Sequence, residues 1–449
     1  MMWALALREV CSMRVFPFIR LVVLILLLTL TAIPTGGGGA SPGRNSVTER
    51  VSVGSAGQEA NGRSLSGAMS ADGRYVAFDS RADNLVPDDS NGYWDVFVHD
   101  RKTGQTERVS VDSPGDEAHG NSGWPAISAD GRFVAFWSVA SDLIDGDTNG
   151  VSDIFVHDRE TGSTERVSVG NAYTEADRQS VRPKISEDGR FVAFDSWATN
   201  LVPGERVWAG VYVRDRLLGV TERVALGSIE AMSEDGRYVV FGTNADNLVA
   251  GDTNGFSDVF IRDRWMGKTE LVSVGSLGEQ GNEHSFGTAI TPDGRYVTFY
   301  SNASNLVPAD TNDSADGFVR DRLKGRTERV SVGNDGVEGD GRGTPWAITP
   351  NGRYVVFTSR ATNLVVSDDT NGVYDAFVRD RLRGITERVS LGSDGSQGNG
   401  DTGGAGISAT GRYVLLWSDA SNLVVNDSNG VTDYFVHDRR PASRAVESK

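Results

Sequence analysis

The residue pattern in this chain best suited to chemistry is an Asp-[Ser/Thr]-Asn-[Gly/Asp]-x-x-Asp string. It occurs six times: Asp89, Asn91, Asp95; Asp147, Asn149, Asp153; Asp252, Asn254, Asp258; Asp310, Asn312, Asp316; Asp369, Asn371, Asp375; Asp427, Asn429, Asp433. Hard divalent cations take several oxygen ligands, and Asp and Asn oxygens around a tight turn make each string a candidate calcium loop. A full EF-hand loop would add a third acidic position and a bidentate Glu at its end, and these strings have neither. The second reading is an Asx turn, in which the side-chain oxygens accept from the loop's own N–H groups and set the direction of the following strand. Spacing alone leaves both readings open.

Other chemistries are excluded by residue type. No nucleophile elbow, H-E-x-x-H, P-loop or dinucleotide fingerprint occurs. The sole cysteine, Cys11, lies near the start of the chain, which removes disulfides, thiolate catalysis and Cys-type zinc sites from everything after it. Of the five histidines, His99, His157 and His437 share a repeat position that holds Arg214, Arg262, Arg320 and Arg379 elsewhere, which predicts a solvated site tolerant of any cation. His119 and His284 fall in connections between repeats, where each is a candidate ligand group. An Asp-Arg pair recurs seven times, from Asp100-Arg101 to Asp438-Arg439. Chemistry needed once has no reason to appear in every repeat, so these pairs, and the Glu of each Thr-Glu-Arg, are predicted to brace turns and neighbouring units.

The elements that position these groups follow from one period. A Gly-Arg pair recurs at Gly73, Gly131, Gly189, Gly236, Gly294, Gly352 and Gly411, at intervals of 58, 58, 47, 58, 58 and 59 residues. A period of this size marks a propeller, a solenoid or an array. Each unit reads as four strands, for which the second copy serves as the example: WPAIS, RFVAFWS, DIFVHDR and TERVSV. Asx-Gly pairs such as Asp130-Gly131 make the first hairpin, because both residues accept positive φ. The second strand is a continuous apolar run, so both of its faces are predicted to be buried, as radial stacking of sheets requires. The chain begins its repeats with an orphan Thr48–Val53 strand and ends them after Asp438 without one. The orphan therefore completes the last sheet. The reading is an all-β, seven-bladed β-propeller over 48–438, with blades at about 63–111, 121–169, 179–226, 229–274, 285–332, 343–391 and 402–438, and a polar tail at 439–449.

The strings ISADGRFVAFWS, GDTNGVSDIFVHDR and TGSTERVSV resemble the TolB-like, WD-type propeller repeats of bacterial secreted proteins. That resemblance implies a protein-binding scaffold, a lid on a peptidase domain or, occasionally, a lyase fold. It implies a surface and not a reaction. TolB itself is six-bladed, so its partners do not carry over.

Arg8, Arg14 and Arg20 precede an apolar run from Leu21 to Ile33, followed by a glycine run and Ala40, which reads as a signal peptide over 1–40 cleaved near Ala40, with a linker at 41–47. An uncleaved anchor is the alternative. Both place the protein outside the cytoplasm, secreted or periplasmic. The formal charge is -17, or -19 without residues 1–40. Such acidity excludes nucleic acid and predicts no membrane contact beyond the signal segment. The reading takes the chain as a monomer.

Repetition marks scaffold, so a unique site is sought where the repeat breaks. Strand alternation puts the second-to-third loop and the blade-to-blade crossover on one rim, the long-loop face. Blade 3 breaks both: its loop carries Glu205, Arg206 and Trp208 in place of the Asp-Asn-Asp set, and its crossover to blade 4 has lost ten residues. These losses predict a notch exposing Trp208, Glu205 and Arg206 beside Arg182 and Lys184, with Trp124 and Trp346 near the channel mouth. The alternative is a decayed repeat whose Trp208 packs in the core. The functional reading is a binding or scaffold module for a protein or carbohydrate ligand, with a polysaccharide-active lyase or hydrolase as alternative. The non-repeating polar residues look scattered along the chain, which favours binding over catalysis.

Overall fold

Each Asx-Gly pair of the Gly-Arg period lies in the hairpin between the first two strands, where the glycine alone, and not the Asx before it, takes a positive φ, between 68° and 78°, a conformation open to glycine at no steric cost. In the computed structural model the described residues are 47–204, 209–366 and 369–439. The leader with Ala40, the loop residues Glu205, Arg206 and Trp208, and the polar tail beyond Arg439 lie outside them. The described residues form seven antiparallel sheets of four strands each, a seven-bladed β-propeller.

The innermost strands are Ser64–Met69, Ser122–Ile127, Ser180–Ile185, Ser228–Met232, Ser285–Ile290, Gly343–Ile348 and Thr402–Ile407. Each packs against the innermost strands of its two neighbours, the seventh against the first, so together they surround the axis. The second and third strands carry the core: Val76, Ala77, Phe78 and Phe97 in blade 1, and their counterparts elsewhere, are fully buried. Blade 7 takes its outermost strand, Val47–Arg50, from the start of the described chain, in register Val47↔Asp438, Thr48↔His437, Glu49↔Val436 and Arg50↔Phe435.

Each seam between blades repeats one clasp. Arg159, from the Asp-Arg pair of blade 2, donates to Glu107 of blade 1 at 2.5 Å and stacks 4.4 Å from the ring of Tyr75 of blade 1. It also donates to the carbonyl of its own Gly131. A Cβ on Gly131 would come within 2.2 Å of that same Tyr75 ring, so glycine is needed here for close approach as well as for φ. Asp158 meanwhile takes a two-point bond from Arg132 at 2.7 and 2.8 Å. The pair is thus split: its Asp braces a turn and its Arg fastens a neighbour. At the closing seam Arg101 meets Glu49 and lies 4.3 Å from the ring of Tyr413.

The expectation of solvated histidines is corrected. His99, His157 and His437 are buried, each bonded through Nδ1 to a threonine hydroxyl of the outermost strand, Thr106, Thr164 and Thr48, at 2.8–2.9 Å. Burial pushes their pKa values down, that of His437 to about 4. The shorter imidazole settles beneath the threonine instead of reaching water. Arg214, at the same position in blade 3, is buried too and also bonds its threonine, Thr221.

Ser52, two residues beyond the closing strand, donates to Asp433 at 2.5 Å and accepts from the Tyr434 N–H at 3.0 Å; Ser110 makes the matching bonds to Asp95 and Val96 in blade 1. Ser52→Ala and Ser110→Ala are therefore expected to destabilise equally, by about 1–3 kcal/mol each, in urea unfolding. A neutral Ser52→Ala beside a costly Ser110→Ala would show that the closing strand lies outside the cooperative unit.

Candidate functional site at the channel and its rim

Two sets of polar residues compete for attention, the six Asp-Asn-Asp loops and the innermost strands. In the loops, the Asn oxygen accepts from the N–H two residues on, as in Asn91 with Tyr93 and Asn149 with Val151. Its amide nitrogen donates across to the next crossover, Asn91 to the Ala118 carbonyl and Asn149 to that of Ala176. The asparagine is thus an Asx turn and a strut.

The carboxylates face a cation from their own chain, the arginine of Thr-Glu-Arg. Arg166 lies 3.1 Å from Asp147, 3.3 Å from Asp153 and 2.7 Å from Glu175 of the following crossover. Arg108 does the same with Asp89, Asp95 and Glu117 at 2.9–3.7 Å, and Arg329 with Asp310, Asp316 and Glu338 at 2.6–3.6 Å. Arg50 meets Asp427, Asp433 and Glu59 at 2.5–3.7 Å. In blade 6, Arg388 reaches Asp369 and Asp375 at 3.8 and 3.4 Å, and the Gln397 amide donates to both. In blade 4 the arginine is Leu271 and the Glu is Gln280, whose amide donates to Asp252 and Asp258 at 2.6 and 3.0 Å. Glutamine thus replaces the glutamate in both blades 4 and 6, and only blade 4 has also lost the arginine. Among the arginine-filled sites, burial pushes Asp147 up to about 6, while hydrogen bonds from Thr148 and Arg166 hold the less enclosed Glu175 down at about 2.

The innermost strands carry what the repeat does not. The residue two before each hairpin serine or threonine is Ala68, Ala126, Ala231, Ala289, Ala347 or Gly406, but Lys184 in blade 3. One position earlier in its own innermost strand, blade 4 presents Glu230. A Cβ on Gly242 would lie 2.8 Å from its Oε1, and one on Gly287 would lie 3.2 Å from its Cβ; Glu230 fills the space those two glycines leave. Asp195, buried, accepts from the Ile229 N–H at 2.6 Å and the Ser228 hydroxyl at 2.8 Å. Arg182 also bonds Ser228 at 2.8 Å and lies 3.7 Å from Asp195. The non-repeating polar groups are therefore not scattered: Arg182, Lys184, Asp195, Ser228 and Glu230 converge on the blade 3–4 seam.

Enclosure by this seam pushes Glu230 up to about 7 and Asp195 up to about 6, and pushes the Lys184 amine down against the opposing pull of Glu230 and Asp195. Arg182 sits 5.6 Å from the Trp124 ring. Trp124 and Arg182 both hold left-handed φ values, 48° and 58°, immediately before Pro125 and Pro183. Such backbone costs on the order of 1–3 kcal/mol per residue and persists where the surroundings impose it. Trp124 is tied down by its N–H to Asp79 at 2.9 Å. On blade 6, Trp346 donates its indole N–H to Thr358 at 3.0 Å. Both indoles stay 43–44% exposed.

Sequence reasoning named Trp124, Trp346, Arg182 and Lys184 but missed Asp79, Asp195 and Glu230. A signal existed: the fifth residue of the otherwise uniform second strand is Asp79, Trp137, Asp195, Gly242, Tyr300, Thr358 and Trp417 in turn. That position meets the next blade's innermost strand in blades 1, 3 and 6. The shortened crossover leaves only Leu226 and Gly227 between the outermost strand Val220–Ala225 and Ser228. It lacks the backbone bridge that the six other crossovers carry, such as Val111↔Glu117. Of the loop histidines, His119 pairs with Asp142 at 2.5 Å, and His284 accepts from the Ser257 N–H between the rings of Phe256 and Phe286.

No family model and no curated protein matches the sequence. Solved structures do match. The β-propeller domain of the Trilobed protease from Pyrococcus furiosus, which has an open velcro topology, is 14% identical with a TM-score of 0.52, over 84% of this chain and 95% of that one. An acylaminoacyl peptidase is 12% identical with a TM-score of 0.50, over 84% of this chain and 51% of that one. The putative TolB of Agrobacterium tumefaciens is 15% identical with a TM-score of 0.40, over 75% of this chain and 95% of that one. At these identities the likeness is one of fold: the chain is a β-propeller similar to TolB-like and peptidase-associated ones.

Because Glu230 binds its proton more tightly folded than unfolded, its contribution to stability is complete below its unfolded value of 4.5 and fades as pH rises through about 7. The melting temperature is expected to fall between about pH 5 and pH 8, and to fall less in Glu230→Gln. Identical slopes in scanning calorimetry would contradict the assigned environment.

Proposed function

We propose that this protein is an exported binding module that holds a carbohydrate on the innermost strands of its propeller. The observation that carries this reading is the pair of half-exposed indoles, Trp124 and Trp346, on the same ring of strands as Arg182, Lys184 and Glu230. Sugar rings present apolar faces that stack on indoles, while their hydroxyls take charged hydrogen-bond partners, and a concave site with few convergent polar groups suits both. Trp124 is held in a strained conformation that a merely structural residue would not need. On a glycan array the wild type is expected to retain a defined set of glycans. Trp124→Ala and Trp346→Ala should each weaken that binding at least about tenfold with little change in melting temperature. An empty array, or unaltered binding by both variants, would contradict the reading.

A catalytic use of the same seam is favoured by one observation, an amine with a lowered pKa beside a carboxyl near neutrality, the arrangement proton transfer uses. Turnover of a bound polysaccharide that disappears in Lys184→Met while binding persists would select this reading over simple binding.

For the six Asp-Asn-Asp loops we propose that arginine, and a glutamine amide in blade 4, does what calcium would do. Support comes from the guanidinium of Arg166 within 3.3 Å of three carboxylates. Calcium added to the wild type is expected to give no heat in titration calorimetry and no shift in melting. Arg166→Met strands those carboxylates, which should destabilise by about 3–5 kcal/mol and create a calcium-dependent rescue. Calcium heat in the wild type would overturn this assignment.

A further inference from the structure

The turn between the third and outermost strands changes character around the ring. In blades 1 and 2 it is polar, with Lys102 and Thr103, then Glu160 and Thr161. In four consecutive blades it is apolar: Leu217 and Leu218, Trp265 and Met266, Leu323, and Leu382. These side chains are 63–79% exposed. Single exposed apolar residues are ordinary on a protein surface, but the same turn position filled in four adjacent blades is a patterned surface. The registers place these turns at one height, because the Asp before each turn always faces the first residue of the second strand: Phe191↔Asp215, Tyr238↔Asp263, Tyr296↔Asp321 and Tyr354↔Asp380. A rigid disc therefore presents a level arc of protruding apolar groups, which fits a planar partner.

Two further observations identify that partner. The charges carried by the turns themselves are cationic, Lys268, Lys324, Arg326 and Arg383, with Lys268 bonded to Glu270 at 2.8 Å and Arg326 and Arg383 at 3.8 and 4.0 Å from Glu328 and Asp380, in a chain whose net charge is -17. A further group of carboxylates on this face, Glu187, Asp188, Glu234 and Asp235, gathers nearer the axis, and the clasp glutamates Glu222, Glu270 and Glu328 are tied to Arg264, Arg322 and Arg381. Val47 pairs with Asp438 at this same face, so the preceding 46 residues, with the apolar run Leu21 to Ile33, join the propeller here. The 13 residues between that run and Val47 reach at most about 45 Å when extended, so a membrane holding the run would be within tether distance of this face. We propose that the short-turn face of blades 3 to 6 docks on a phospholipid bilayer, its leucines, Trp265 and Met266 entering the headgroup boundary and its four cations meeting anionic headgroups. The net charge predicts repulsion from such a surface for the molecule as a whole; the arc is the local exception.

The test uses the full chain with Cys11→Ser, which removes the only thiol. An environment-sensitive fluorophore is placed at Leu323→Cys in the arc or at Thr253→Cys on the long-loop face. On mixed phosphatidylcholine and phosphatidylglycerol vesicles the label at 323 is expected to shift to the blue and the label at 253 to stay unchanged. The shift at 323 should fall by at least half, about twofold, when Trp265, Met266 and Leu382 become Gln, with the melting temperature unaltered. A silent label at 323, equal shifts at both positions, an unchanged shift in the triple variant, or a shift that needs only concentrated protein and no vesicles would each overturn the proposal.

Discussion

Seven guanidinium groups hold this ring together. Each belongs to the arginine that follows the third strand, and each touches the preceding blade twice, at the glutamate of its outermost strand and at the aromatic ring that opens its second strand. The rings lie 4.3–5.1 Å from the guanidinium carbons at all seven seams. Stacking on an aromatic face is worth about 0.5–2 kcal/mol depending on desolvation, whereas the half-exposed glutamate adds direction more than energy. The clasp also explains the most regular feature of the chain. The glycine of each hairpin must leave room for its neighbour's ring, and its carbonyl receives the arginine, so the Gly-Arg period records contacts between blades as much as turns within them.

The same economy governs the acidic rim. Five Thr-Glu-Arg arginines turn toward the Asp-Asn-Asp loops and hold carboxylates that would otherwise repel one another. Blades 4 and 6 are the informative exceptions: Gln397 replaces the glutamate in blade 6 while Arg388 stays, and in blade 4 Leu271 and Gln280 replace both the arginine and the glutamate. Losing the glutamate alone is tolerated in blade 6, where Arg388 keeps Asp369 and Asp375, whereas losing the arginine alone would leave three carboxylates without a cation, a costly arrangement. Much of the acidity of this protein is thus internal framework, and net charge describes the exposed surface of particular faces poorly.

The architecture was legible because turns obey local rules: Asx-Gly at six of the seven hairpins, an apolar second strand, and an orphan segment read over Thr48–Val53 whose strand Val47–Arg50 pairs with Phe435–Asp438. The partners of the arginines were not, since Arg166 ends the outermost strand while Asp147 lies in the loop before the third strand, with no sequence motif joining them. His99 and His437 were misread as solvated because a shared position with arginine suggested a shared environment, whereas the threonine hydroxyl beneath them lies on another strand, in blade 7 from the far end of the chain. The cluster at the blade 3–4 seam was half visible. Lys184 breaks a run of small residues and Asp195 stands at the variable fifth position of the second strand, but that they meet Glu230 follows only from blade stacking.

If every seam is the same, the closing one must be as strong as the rest. Native-state hydrogen exchange tests this directly, by comparing the amides of Phe435 and Val436 in blade 7 with those of Phe155 and Val156 in blade 2. Equivalent seams predict one shared opening free energy for both pairs, equal to that of global unfolding. Exchange of the blade 7 amides through a lower-energy opening would contradict a ring fastened uniformly around its circumference.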